Sequence, residues 1–377
     1  MADLPAPDQI AGAPHPRDTA QLFGQHAAEA AFLDAFNSGR LHHAWLLTGP
    51  RGVGKATLAW RIARFLLATP DDDGGMFAAP APATLDIAPG HPVARRLAAG
   101  SDPGVRAVTR SANDKGDRMR DQIVVDDIRA LASFFQLSAT DGGRRVVIID
   151  AADEMNVQAA NALLKMLEEP PERTTLLLIA HQPARLLPTI RSRCRSLPLA
   201  PLLPQDMDAA LAQAGLNGAQ SGPALAELAG GSAGAAIGLV QSGGLEIYAE
   251  IIALVGTLPQ LDRARALALA EAAAQRGAEE KRRLLFALLD IALARLARTG
   301  ASGRPPEVQA APHESTVLSR LAPTPHAGRI WAQAAQTISA RAAHGLAVNL
   351  DPAALVLDTF RHLTEAARAA LPVQAPA

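Results

Sequence analysis

The nine residues GPRGVGKAT, Gly49 to Thr57, constrain this chain more than any other stretch. They follow a short apolar run, Ala44 to Thr48, with the length and composition of a buried strand. They lead into Thr57 to Leu67, where Leu58, Ile62, Phe65 and Leu66 recur at helical spacing. Strand, glycine-rich turn and helix in that order describe a phosphate-binding P-loop. Gly49, Gly52 and Gly54 let backbone N–H groups converge on phosphate oxygens, the helix N-terminus adds positive potential, and Lys55 neutralises charge. A glycine-rich turn without a ligand is the weaker account of the fold but a real one for activity.

One position breaks the pattern. Ala56 stands where a Ser or Thr hydroxyl would hold Mg²⁺, and one helical step turns the Thr57 side chain about 100° away. The expectation is a loop that can hold nucleotide but lacks efficient hydrolysis.

The second strong element is Arg144 to Asp150 (RRVVIID), an apolar strand running into a carboxylate. In P-loop proteins a carboxylate here coordinates Mg²⁺ through water, and a neighbouring Glu activates the attacking water. Here Asp150 is followed by Ala151, Ala152 and Asp153, so the expected base is missing. Helices are predicted over Ala27 to Asn37, with Phe32, Leu33 and Phe36 inward, and within Asn161 to Leu167. Strands are predicted at Val105 to Arg110 and Thr174 to Ala180. Ile123 to Phe135 reads as a strand end, an N-cap at Asp126 or Asp127, then a helix; Ala184 to Leu199 reads as a helix, a turn and a final strand. This alternation implies an α/β fold with a parallel, doubly wound sheet and sites at the strand C-termini.

Composition narrows the classes further. A length of 377 residues allows two or three domains, and a net charge of −1 excludes nucleic-acid binding by bulk charge alone. The single cysteine, Cys194, excludes disulfides within the chain and any multi-cysteine zinc module. Residues 1–18 are polar and Pro-rich, read as a disordered lead-in and unlike a signal peptide. No apolar run reaches membrane-spanning length, so a cytoplasmic location is expected. Residues 69–104 read as a loop-rich insertion with a short helix around Val93 to Ala99. Its Asp71-Asp72-Asp73 run suits a solvated loop tip better than a metal site. His42 and His43 invite a metal reading, but strand neighbours face opposite ways, so they read as residues leading into the strand.

Pro201 to Pro204 marks a linker, and 201–243 reads as a small helical lid ending near Ser242-Gly243-Gly244. Residues 244–377 read as an all-α domain with helices at Ala264 to Ala274, Glu279 to Arg298, Thr324 to Ala343 and Pro352 to Ala370, and a loop at Thr299 to Pro312. Lys281-Arg282-Arg283 followed by LLFALLDIAL suits a bundle core better than a nucleic-acid face.

GPRGVGKAT, VVIIDAADEMN (Val146 to Asn156), ANALLKMLEEPP (Ala160 to Pro171) and TIRSRC (Thr189 to Cys194) together resemble the AAA+ clamp-loader family of bacterial DNA polymerase III, and most closely its stator, or delta-prime, branch. The strong likeness covers about residues 15–240. It implies an AAA+ domain over 19–200, a lid over 201–243 and an oligomerisation collar over 244–377. It implies membership of a five-subunit ring with gamma/tau motor subunits and delta, which opens the sliding clamp and loads it on primed DNA as part of the polymerase III holoenzyme, with no membrane involved. The Arg of Ser-Arg-Cys reaches a neighbour's γ-phosphate in that family; here the residue is Arg193, flanked by Ser192 and Cys194. A guanidinium suits this because it is always charged and forks onto phosphate oxygens; a plain surface Arg beside Arg191 and Arg195 is the alternative.

Departures from the family's motor subunits share a direction. Ala56 lacks the hydroxyl, Ala151 replaces the Glu, and Gly234 fills the slot of a sensor arginine. The resemblance therefore implies ATP or ADP bound structurally, if at all, through Gly49, Gly52, Gly54, Lys55, Thr57 and Asp150. It also implies weak or absent ATPase and no zinc, since residues 69–104 carry none of the family's four cysteines. The rival reading is an ATP-hydrolysing motor subunit or another active AAA+ ATPase.

Overall fold

The computed structural model describes residues 6–19, 21–69, 80–136, 143–216 and 222–371. The Asp71-Asp72-Asp73 run lies outside them. The chain divides into two compact units, Met1–Asn217 with Gly231–Ile237, and Gly218–Gly230 with Gly238–Ala377. The residues expected to form a lid are thus shared between the two.

In the first unit the chain runs α1 (His26–Asn37), β1 (Ala44–Thr48), α2 (Lys55–Ala68), α3 (Pro92–Ala98), β2 (Val105–Val108), α4 (Val125–Gln136), β3 (Arg145–Asp150), α5 (Val157–Glu168), β4 (Thr174–Ala180), α6 (Pro188–Arg191), β5 (Arg195–Pro198) and α7 (Pro204–Gln213). The five strands form one parallel sheet in the order β2-β3-β4-β1-β5. Runs of apolar residues suit a sheet buried on both faces, because successive side chains alternate sides. Trp45, Leu47, Val146, Ile148, Leu177 and Ile179 pack on one face with Leu58, Ile62 and Phe65 of α2. Leu46, Val147, Ile149, Leu176 and Leu178 pack on the other with Ile128 and Leu131 of α4 and Leu163 of α5.

The register matters for the site. Thr48 pairs with Ala180 and Asp150 with Ile179, so the carboxyl ends of β1, β3 and β4 open at one edge of the sheet. β4 lies between the P-loop strand and the Asp150 strand. That edge is where ligands bind in open parallel sheets.

Several local expectations change. Residues 6–18, within the stretch expected to be disordered, form turns whose ends pack locally: His15 Nε2 lies 3.2 Å from Asp8, and Arg64 of α2 donates to the Arg17 carbonyl at 2.7 Å. Neither Asp126 nor Asp127 is an N-cap; α4 starts one residue earlier, and Asp127 in its first turn accepts from Val124 N–H at 2.9 Å. The rings of His42 and His43 stack at 4.4 Å rather than pointing apart, because both precede β1. His43 is tied by Nε2 to the Leu167 carbonyl.

In the second unit the helices are α8 (Pro223–Ala229), the end of α9 (Ala233–Gln241), α10 (Gly244–Gly256), α11 (Arg263–Ala274), α12 (Glu279–Ser302), α13 (Glu314–Leu321), α14 (Pro325–Ala347) and α15 (Pro352–Ala370). Helix α12 runs into the stretch expected to be a loop and ends at Gly303, whose φ of 69° suits a helix C-cap. Helices α10 and α13 escape the sequence reading. α10 buries Tyr248, Ile251, Ile252, Leu254 and Val255. Arg282 lies half-buried at the start of α12 and donates to the Ala273 carbonyl, while Leu285, Leu289 and Leu293 are buried.

Candidate functional site

The P-loop joins β1 to α2 through three residues in the left-handed region: Gly49 at φ 138°, Gly52 at 74° and Gly54 at 99°. Side chains here would also collide with backbone. A Cβ at Gly49 would stand 2.4 Å from the Leu199 carbonyl oxygen, and one at Gly52 would stand 2.9 Å from Gly234 Cα. Gly52 accepts a hydrogen bond from Gly234 N–H at 3.1 Å. The position where the family resemblance implies a sensor arginine therefore touches the loop by backbone alone.

Lys55 opens α2 and is 3 % exposed. Its Nζ donates to the carbonyls of Gly49, at 2.6 Å, and Pro50. Burial lowers its pKa to about 8 against the opposing pull of Asp150 and Asp153. Asp150, at the end of β3, is pushed up to about 7 by burial and by the charges of Asp8 and Glu154, with Lys55 and Arg51 opposing. Asp153 accepts from the backbone N–H groups of His181 (3.1 Å) and Gln182 (2.8 Å). It therefore ties the end of β3 to the end of β4 and is not held out for a metal.

A cavity of about 270 Å³ opens beside the loop. It is lined by Gly52, Gly54, Lys55, Ala56, Thr57 and Asp150, and also by Asp8, Ile10, His181 and Gly234. Its volume sits just below the ~300–1,000 Å³ of ordinary ligand clefts. Gly49 does not line it. His181 escapes the sequence reading; its place directly after the apolar β4 was the available signal. Burial and the nearby Lys55 and Arg51 charges lower its pKa to about 4, so it is neutral near pH 7, and its buried Nδ1 finds no hydrogen-bond partner among the described residues.

These donors do not fit a P-loop magnesium site. Position 56 has no side-chain oxygen, and Asp153 is committed to backbone. Among the described residues no group of three or more His, Cys, Asp or Glu side chains could hold a metal ion. Lys55 and the loop remain able to meet an anionic phosphate.

Arg193 follows α6 and does not line that cavity. Its Nη2 lies 3.0 Å from Glu168 Oε1, and its Nη1 donates to the Thr189 carbonyl at 3.1 Å. Its neighbour Arg195 is occupied over the Trp45 ring, 4.9 Å from the centroid. Burial pushes the Cys194 thiol up to about 12, so it is no nucleophile near neutral pH.

Residues 24–203 match the family model described as DNA polymerase III, delta subunit. The chain is 43% identical over 152 residues to DNA polymerase III subunit delta' of Pseudomonas aeruginosa, covering 40% of this chain and 41% of that protein. It is 34% identical over 169 residues to the delta' subunit of Bacillus subtilis, covering 45% of each. It is also 33% identical over 201 residues to the gamma/tau subunit of Mycobacterium tuberculosis, covering 52% of this chain and 31% of that protein. The matches thus span less than half the length of these relatives. No single helix among the described residues is long and apolar enough to cross a membrane.

Proposed function

We propose that this chain, whose residues 24–203 match the DNA polymerase III delta-subunit family model, acts as the delta-prime stator of a clamp loader. In this reading it sits in a ring with gamma/tau motor subunits and delta, and the assembled ring opens the sliding clamp and places it on primed DNA. The chain turns over no ATP itself. Arg193 completes the ATP site of a neighbouring motor subunit, where its guanidinium meets charge developing on the γ-phosphate.

The observation that carries the reading is a well-formed P-loop without hydrolytic partners, in the same unit as an arginine held away from it. The glycine angles and buried Lys55 support nucleotide or phosphate contact. Ala56, Ala151 and Gly234 support the absence of turnover. Any nucleotide held by Gly49, Gly52, Gly54, Lys55, Thr57 and Asp150 is then structural. Residues 201–243 serve as the lid and 244–377 as the collar, and the protein works in the cytoplasm.

The test is ATP hydrolysis by the chain alone, then by a loader reconstituted with clamp and primed DNA, wild type against Arg193→Ala. The expected result is silence from the isolated chain and a marked loss of turnover in the mutant complex, because the guanidinium at one motor site is gone. Robust turnover by the isolated chain would overturn the reading.

A further inference from the structure

We propose that Glu168 is a resident counter-anion for Arg193: it holds the guanidinium in the unassembled chain and yields it to the neighbour's phosphate on docking. The inference rests on the stator reading. Glu168 is the last residue of α5, and Glu169 follows it. Carboxylates are disfavoured at a helix C-terminus, where the backbone dipole presents negative charge. Helix stability therefore does not account for an acid here, whereas the 3.0 Å contact with Arg193 does. The second anchor, the Thr189 carbonyl in α6, fixes the other amino group. Two acceptors from two elements hold one edge each of a side chain that is otherwise long and mobile.

The pair is not a buried structural bridge. Arg193 is 37 % exposed and Glu168 51 % exposed, so exchange requires no unpacking. A carboxylate and a terminal phosphate recognise a guanidinium alike, through paired N–H···O bonds, and the phosphate carries more charge. Glu168 is thus the resident anion that a γ-phosphate displaces. Exposed pairs of this kind shift an equilibrium by up to about fivefold, which sets the size of the effect.

The experiment titrates this chain into motor and delta subunits with clamp and primed DNA, reading the half-maximal concentration and the plateau of ATP turnover. Wild type, Glu168→Gln, Arg193→Ala and the double variant are compared at about 0.1 M and 0.5 M salt. Glu168→Gln keeps the shape and removes the charge. It should lower the half-maximal concentration two- to fivefold and leave the plateau unchanged. The shift should shrink at the higher salt and vanish in the Arg193→Ala background, while Glu168→Asp restores wild-type behaviour. An unchanged or higher half-maximal concentration for Glu168→Gln, with Arg193→Ala still impaired, overturns the role of Glu168 and leaves the finger intact. The same shift in both backgrounds also overturns it, because Glu168 would then act elsewhere. Full turnover in Arg193→Ala overturns the finger and this inference together.

Discussion

At the scale of single residues, the site is set by a lysine and an aspartate that burial pushes toward their uncharged forms. Asp150 has a native pKa of about 7 against an ordinary 3.8, so between those values the folded chain binds more protons than the unfolded one. Its contribution therefore favours folding at the low end of that window and is lost as pH rises through 7. Asp150→Asn cannot ionise. It should match wild type near pH 4 and be more stable at pH 8 by about 1–3 kcal/mol, less than the full shift because Lys55 loses a counter-charge. Urea unfolding at the two pH values tests this, and an equal difference at both would refute it.

The same scale shows where sequence reading was sharp and where it was blind. The positive-φ glycines and Lys55 were legible because a P-loop is a local pattern. Asp8, His181 and Gly234 line the same cavity as that loop from 41 or more residues away along the chain, and of these only Gly234 was legible, through resemblance rather than spacing. The turns over residues 6–18 are not legible for a related reason. Their polar, Pro-rich composition matches that of disordered segments, and their partners, Trp60 and Arg64, lie on α2.

At the scale of elements, apolar strands and amphipathic helices were readable from periodicity, and α15 falls where its pattern placed it. Helix packing was not. Helices α12 and α14 approach so closely at Gly300 and Gly328 that a Cβ on Gly328 would stand 2.8 Å from Ala301 N and 2.9 Å from Ala297 O. Backbone on the facing helix cannot step aside as a side chain would. Gly328→Ala should cost about 1–3 kcal/mol. Gly238→Ala, where a Cβ meets nothing within 4 Å, should stabilise by about 0.5–1 kcal/mol through helix propensity. Chemical unfolding of both variants checks the opposite signs.

At the scale of the whole molecule, the two units are held by different means. The sheet unit rests on two apolar layers. The helical unit adds a buried polar network, in which Arg295 Nε lies 2.7 Å from Glu314, Tyr248 donates to the same carboxylate at 2.6 Å, and Arg295 Nη1 reaches Glu227 at 2.8 Å. Burial and the adjacent Glu314 drive the Tyr248 hydroxyl pKa upward, so it stays a donor. Arg295→Met would leave the Glu314 charge buried without its counter-ion and should cost about 3–5 kcal/mol. Adding Glu314→Gln should recover much of that loss. Thermal unfolding of the single and double variants measures it, and a single variant as stable as wild type would show that the network is not holding the unit.

The sequence by itself determined the P-loop, the parallel α/β class, the missing hydroxyl at Ala56 and the missing acid at Ala151. Each of these is written in residues that are neighbours along the chain, where strand, helix and turn preferences act. Only the tertiary structure decided that Asp153 serves backbone, that Gly234 rests on Gly52, and that Glu168 holds Arg193. Those contacts join residues 25 to 182 positions apart, and they form only where the parallel register brings strand ends and helix ends to the same place.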